Sequence, residues 1–161
     1  MPTLRAATAA DLGAIAAIHA RAIETSPAVF RDAPLPPEDW AAWLLSDHPT
    51  RVVEVDGEVL GFIAVRPYAP GYSGYVGMAW LSLYVRERTR GQGLGRALLR
   101  ASLGRLADHG RRGAVVWVLA ANPSRFFYER LGGRRVATRR ELFANTLLDE
   151  LAYAWDGPVV A

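Results

Sequence analysis

The sequence predicts an α/β (α+β) fold, a single domain in which helices are separated by the strands of a mixed sheet. Three observations predict it. Asp56-Gly57 divides two β-rich runs, RVVEV and EVLGFIAV, and is the residue pair that a two-residue type I′ hairpin turn wants. The continuous apolar run GAVVWVLA, 113–120, reads as a buried strand. Between them, the strand-like run MAWLSLYVR passes through a glycine-rich stretch straight into an apolar helical pattern. At 161 residues the chain has the size of one domain, residues 1–161, and is long enough to bury a core.

The elements follow in order. Thr8-x-x-Asp11 has the form of a capping box with Asp in the Glu place. Leu12, Ile15, Ala16, Ile18 and Ala22 then recur at helical spacing and predict a helix to about Ile23. The proline-rich stretch ETSPAVFRDAPLPPEDW, 24–40, breaks regular structure. A short helix begins near Pro37, with Trp40, Trp43 and Leu44 on one side. The hairpin comes next, then a loop, RPYAPGYSGYVG, with three tyrosines. The following strand ends near Arg86. The helix after the glycines runs through about Ala107. NPSRFFYERLGG, 122–133, is a loop and a short helix closed by two glycines suited to a C-cap. Two further strands lie around Arg135–Phe143 and Leu147–Trp155. There is no internal repeat, linker or low-complexity segment.

Composition narrows the function. Hydrophobic residues make up 51% and charged residues 22%, the balance of a soluble globular protein. No cysteine is present, which excludes a disulfide framework and thiolate chemistry and fits the cytoplasm. Asp11 interrupts the first residues where a signal peptide needs an apolar run. No apolar stretch approaches the ~18 residues of a membrane span, so no membrane partner is expected. All 19 basic side chains are arginine, and the net charge is +3. A biased genome composition accounts for the absence of lysine. Guanidinium forks also match phosphate geometry. No run of basic residues is long enough to favour nucleic acid. His19, His48 and His109 show no metal spacing, so no metal site is expected.

The glycine stretch TRGQGLGRALLR, 89–100, carries the chemistry. Gly91, Gly93 and Gly95 lie between a strand end and a helix start. A helix N-terminus leaves N–H groups without partners, and its dipole favours anions. Glycine lets a phosphate approach that backbone with no Cβ in the way. Charge-assisted bonds of roughly 1.5–3 kcal/mol each could hold a diphosphate. The G-x-G-x-G spacing does not fit a dinucleotide fingerprint, and a P-loop needs a lysine this chain lacks. The competing reading is a turn that merely lets helix pack closely on strand.

Arg90-Gly91-Gln92-Gly93-Leu94-Gly95 matches [QR]-x-x-G-x-[GA], and the chain resembles the GCN5-related N-acetyltransferase (GNAT) family. The strand ending Leu83-Tyr84-Val85, the helix start Arg96-Ala97-Leu98-Leu99 and the early hairpin stand where that family has them. Asn122 and Tyr128 fall on a second family stretch of the type N-x-x-A-x-x-x-Y. The resemblance covers about Leu4 to Trp155. It departs at Arg125, where a small residue is common, at Gly133, where an aromatic often follows the glycine, and at Ala79, where relatives often carry a Glu. The segment from Ile23 to Trp40 resembles the phosphinothricin-type acetyltransferases, while LDELAYAW resembles generic small-molecule relatives.

The resemblance implies a mixed, mostly antiparallel sheet flanked by helices, with strands four and five splayed. It implies acetyl transfer from acetyl-CoA to a primary amine of a small molecule through a ternary complex. Leu83, Tyr84 and Val85 would pair with the cofactor arm, with an N–H near Val85 as oxyanion donor. Arg90, Gly91, Gln92, Gly93, Leu94, Gly95 and Arg96 would cradle the diphosphate, and Asn122 would bond the arm or start a helix. Arg88 stands near the cradle, and Arg86 reads as solvated surface. Tyr128 is the candidate general acid, the alternative being a core tyrosine beside Phe126 and Phe127. A phenol titrates near ~10 and a thiol near ~8.5, so full transfer is uphill by roughly 2 kcal/mol. Tyr128 therefore needs a lowered pKa or acts by hydrogen-bonding the sulfur. Its ionisation would form the alkaline limb of the pH profile.

Phe30 to Trp40 and Pro67 to Gly77 are expected to line the acceptor side, where variable loops carry specificity. Tyr72, Tyr75 and Trp80 point to an apolar or cationic acceptor. A homodimer fits this reading as well as a monomer. The rival readings are a non-catalytic acyl-CoA-binding module and a basic RNA-associated protein.

Overall fold

The computed structural model describes residues 2–25, 50–67, 78–143 and 146–155. Among these, seven strands form one sheet in the order β1-β2-β3-β4-β5-β7-β6. They are β1 (Thr3–Ala6), β2 (Arg51–Val55), β3 (Glu58–Pro67), β4 (Met78–Val85), β5 (Gly113–Leu119), β6 (Arg134–Phe143) and β7 (Thr146–Trp155). Among the described residues three α-helices flank it: α1 (Leu12–Thr25), α2 (Leu94–Leu103) and α3 (Ser124–Arg130).

The turn between β2 and β3 has positive φ at both central residues, 51° at Asp56 and 81° at Gly57. That is the type I′ requirement. β5 is buried along its whole length, as its unbroken apolar run demands. The first helix starts one turn late. A 3-10 turn, Ala9–Asp11, precedes it, and the Thr8 N–H donates to Asp11 Oδ2 at 2.8 Å. The second helix ends at Leu103, four residues before the expected Ala107. At Gly104 the bonding tightens from four-residue to three-residue steps, with Arg105 N–H donating to Ser102 O and Leu106 N–H to Leu103 O. Leu103 and Leu106 are both buried, so the apolar period outlasts the helix. β1 was not expected at all. The short helix near Pro37 and the tyrosine loop lie outside the described residues, Arg66 and Pro67 excepted.

The sheet separates two apolar layers. On one face, Leu94, Leu98, Leu99 and Leu103 of α2 pack on Ile63, Val65, Leu81 and Val116. Each fully buried leucine contributes about 1.5–3 kcal/mol. On the other face, Ile15 and Ile18 of α1 cover Val52, Phe62 and Ala64. Strand alternation divides β4 between the layers: Ala79, Leu81, Leu83 and Val85 face α2, and Tyr84 faces α1.

β4 and β5 are parallel and pair only at Met78↔Gly113, Ala79↔Ala114 and Trp80↔Val115. Beyond Trp80 the two strands diverge, so the expected splay is present. Every other neighbouring pair is antiparallel.

Near the sheet's β1 edge, Arg5 grips Asp11 with both amines, at 2.7 and 2.9 Å, and reaches Glu54 at 3.0 Å. The Arg5 guanidinium holds the Asp11 carboxyl below the usual carboxylate range. Asp11→Asn is expected to cost about 1–2 kcal/mol at neutral pH, discounted because Arg5 is partly exposed. The folded pKa is depressed. The stabilisation is therefore complete above the ordinary value near ~3.9 and is lost as pH falls through the folded value. Melting curves of parent and variant should differ at pH 7 and converge in acid. A gap of equal size at pH 7 and at pH 2 would assign the loss to something other than the ion pair.

Candidate active site

The divergence of β4 from β5 leaves an open strand edge. β3 pairs with Ala79 to Val85 on one side, while the β5 side has no strand partner beyond Trp80 among the described residues. A cleft of about 510 Å³ occupies the splay. Leu83, Tyr84 and Val85 form its strand wall, Arg90, Gly91, Gly93, Leu94, Gly95 and Arg96 its rim, and Asn122 and Tyr128 its α3 wall. Gln92 alone of the sequence-predicted set does not line the cleft. It is exposed on the loop.

The rim is built by backbone conformation. After β4, a 3-10 turn at Glu87–Thr89 reverses the chain, and the Thr89 hydroxyl donates to Arg86 O at 2.8 Å. Gly91 and Gly93 have φ of 84° and 80°, a region side chains rarely enter. Gly93 is the N-cap of α2 and no side chain caps the helix. The first helical bond is Ala97 N–H to Gly93 O at 3.1 Å, so the N–H groups of 93–96 have no helical acceptor. Gly95 differs, because its φ is not positive. A Cβ there would meet Phe127 and Val85 at 3.6 Å, ordinary contact. Gly91 and Gly93 thus serve the loop's conformation, whereas Gly95 serves the close fit of α2 against β4 and α3.

Arg90 and Arg96 line the cleft and make no ion pair among the described residues. The other arginines of the segment are engaged. Arg88 pairs with Glu58. Arg86 corrects the expectation of solvated surface: it is half-buried, and its Nε donates to Val59 O at 3.0 Å. His19 is buried edge-on against Tyr84, ring centroids 5.3 Å apart. Asn122 is buried, and its Oδ1 accepts the Ser124 N–H at 2.9 Å. That bond makes Asn122 a helix-start residue and leaves its amide donors on the cleft. Ala79 is fully buried at the vertex of the splay. Among the described residues, no carboxylate or histidine lines the cleft.

Tyr128 sits on α3 and is buried. Two glycines end this helix: Gly132 N–H donates to Glu129 O and Gly133 N–H to Tyr128 O, the Schellman pattern. β7 holds the helix in place. Trp155 Nε1 donates to Leu131 O at 3.0 Å, and Tyr153 donates its hydroxyl to Glu129. Their rings flank Tyr128 at 6.1 and 6.4 Å. Sequence reading missed this support; its only signal was two aromatics two residues apart on one strand face. Burial pushes the Tyr128 phenol well above the ordinary tyrosine value, and Tyr84 adds to the shift. A lowered pKa is therefore not the device. No hydrogen bond engages the hydroxyl among the described residues, and the group keeps its proton for the cleft.

No helix of the described residues is long and apolar enough to cross a membrane. Among them, no group of three or more His, Cys, Asp or Glu could hold a metal ion.

Comparison with known proteins agrees with this geometry. The model of the acetyltransferase (GNAT) family matches residues 15–133. The L-methionine sulfoximine/L-methionine sulfone acetyltransferase of Pseudomonas aeruginosa is 31% identical over 81% of this chain and 78% of its own. The phosphinothricin N-acetyltransferase of Streptomyces viridochromogenes is 34% identical over 80% of this chain and 72% of its own. The crystal structure of a ribosomal-protein-alanine N-acetyltransferase from Brucella melitensis superposes with a TM-score of 0.85 and 27% identity, covering 96% of this chain and 99% of that one.

Proposed function

The chain belongs to the acetyltransferase (GNAT) family, and from that premise we propose that it acetylates the α-amine of a small polar amino acid, using acetyl-CoA. One observation carries the reading. The uncapped N-terminus of α2, the open edge of β4 and Tyr128 all line one cleft. When bound, acetyl-CoA supplies the acyl group as a thioester. The N–H groups of 93–96 hold its diphosphate, with Arg90 and Arg96 adding charge. The free edge at Leu83 to Val85 takes up the arm as an added strand. Asn122 donates to that arm while its Oδ1 stays on Ser124. Tyr128 holds its proton in the cleft as a hydrogen-bond donor.

The acceptor class follows from the relatives. Phosphinothricin and methionine sulfoximine are both amino acids whose side chain ends in a tetrahedral, oxygen-bearing phosphorus or sulfur. The same reading places the enzyme in the cytoplasm, acting on free metabolites without nucleic acid, and as a monomer or homodimer. A thiol-release assay with acetyl-CoA should show highest kcat/KM for such amino acids against plain amino acids, polyamines and peptides. Turnover of peptides or polyamines alone would overturn the acceptor class. Acetyl-CoA at 100 times its Kd should stabilise the fold by about 2.7 kcal/mol. A melt shifted by RNA and not by acetyl-CoA would overturn the reading altogether.

The glycines separate by substitution. Gly93→Val forces a β-branched residue into left-handed backbone, a strain of about 1–2 kcal/mol, and is expected to weaken acetyl-CoA at least ~10-fold through the distorted cradle. Gly95→Ala meets only ordinary contacts. It should bind within about 3-fold of the parent and melt no lower, since alanine is the better helix former. Calorimetric titration giving Gly93→Val the parent's affinity would return that glycine to a folding role alone.

A further inference from the structure

The cleft passes through the sheet. α2 and α3 lie on one face, where Leu94, Leu98, Phe127 and Tyr128 join one apolar layer. α1 lies on the other, and Tyr84 packs into its layer. The cleft is lined from both faces, by Leu94, Phe127 and Tyr128 on the first and by Ala22 and Tyr84 on the second. The opening between β4 and β5 beyond Trp80 joins them. The coenzyme, as placed above, engages the first face through the N–H groups of 93–96, Asn122 and Tyr128. Of Tyr84 it engages the backbone alone, which leaves the side chain without a role.

That side chain is held in place. Its ring stands edge-on to His19, centroids 5.3 Å apart, and lies tilted against Phe62 at 5.4 Å. His19 and Ala22 are neighbours on one side of α1. Tyr84 also adds to the upward shift of the Tyr128 phenol, so the two phenols are within electrostatic range across the opening. A coenzyme laid along the β4 edge with its diphosphate at α2 fills the α2 side. An amine then reaches the thioester from the α1 side, past Tyr84. A phenol oxygen carries two lone pairs besides its proton, so it accepts an N–H whatever its own proton bonds. We propose that the Tyr84 hydroxyl oxygen accepts a hydrogen bond from the acceptor's amine and holds the nitrogen on the side of the thioester away from Tyr128. This rests on the acetyl-transfer reading. Tyr84 then binds the nitrogen that attacks, and Tyr128 serves the sulfur that leaves.

The test compares the parent with Tyr84→Phe in steady-state kinetics. The acceptor is the amine that the thiol-release assay ranks first, expected to be L-methionine sulfoximine. Its desamino analogue, which lacks only the nitrogen, is the inhibitor. Phenylalanine keeps the ring between His19 and Phe62 and every backbone group of β4. The variant is therefore expected to fold and to bind acetyl-CoA within about 3-fold of the parent by calorimetric titration. Acceptor KM should rise about 10-fold, the loss of one hydrogen bond to a charged nitrogen. The inhibition constant of the desamino analogue should stay within about 3-fold, a separation that a merely structural role would not produce. An unchanged acceptor KM overturns the contact. An inhibition constant that rises as far as KM overturns it too and makes Tyr84 a wall of the acceptor site. An acetyl-CoA affinity that falls as far overturns it and assigns the side chain to the coenzyme. In each case the acetyl-transfer reading stands. A parent that releases no thiol with any amine overturns that reading and this contact with it.

Discussion

Tyr128→Phe is expected to lower kcat about 100- to 1,000-fold, within the range of acid–base catalysis. The substitution removes one hydroxyl and keeps the ring between Tyr153 and Trp155. That hydroxyl has no partner among the described residues, so its loss leaves no group unsatisfied. The melting temperature should move by less than about 2 °C, below the roughly 2–4 °C of a 1 kcal/mol lesion in a chain of this size. Acetyl-CoA affinity should change little, because the hydroxyl matters most once charge gathers on the leaving sulfur. Slow product release would hide part of the effect, so the measurement is a single-turnover rate. A variant that transfers acetyl groups at the parent rate makes Tyr128 a core aromatic.

The raised phenol pKa fixes the pH dependence. Burial is its first cause and Tyr84 the second. The donor is the protonated form, which persists above the ordinary value near ~10. From pH 7 to 9.5 the Tyr128 contribution should therefore stay constant. The alkaline limb expected from the sequence moves out of range, and the phenylalanine variant should show a profile of the parent's shape at lower height. A parent rate that falls on titration below pH 9, with the fall absent from the variant, would place the Tyr128 pKa well below the value its burial implies.

What could be read in advance was whatever is contiguous in the chain. Asp56-Gly57 encodes its turn in two residues. The Arg90–Gly95 motif encodes a loop and a helix start in six, and Gly132-Gly133 encodes a C-cap. What escaped depends on partners remote in sequence. β1 spans four mostly exposed residues without an apolar period, and it is a strand because β2 offers an edge. Arg86 looks solvated in sequence because its acceptor, Val59 O, lies across the sheet. The end of α2 was misplaced because Leu103 and Leu106 continue the apolar period while the hydrogen bonds change step at Gly104. In the cleft, the position of Tyr128 on the α3 wall was legible from its motif. The clamp by Tyr153 and Trp155 was not, because β7 reaches α3 only after the β6–β7 hairpin has placed it beside β5.

Gly113→Ala is expected to destabilise the fold by about 3 kcal/mol, at the top of the usual overpacking range, and to lower the melting temperature by roughly 6–12 °C. Gly113 opens β5 where it meets β4. A Cβ there would lie 2.2 Å from the Trp155 carbonyl oxygen and 2.9 Å from the Met78 sulfur. Methionine can yield, being unbranched with three rotatable bonds. The Trp155 carbonyl cannot yield alone. Trp155 is paired with Ala114 across β5 and β7, and its indole is bonded to Leu131 O. Relief therefore requires β7 to move away from β5 at the vertex of the splay. Such a shift reaches the active site directly, because the Trp155 ring packs edge-on against Tyr128 at 6.1 Å. The folded variant should accordingly lose kcat more than acetyl-CoA affinity, since the Gly91–Arg96 rim lies on β4 and α2, away from the displaced strand. Calorimetric melting and single-turnover rates measure the two effects. A Gly113→Ala protein that melts within 2 °C of the parent would mean that the vertex has room for a methyl group, and the Trp155 carbonyl would not be what demands glycine there.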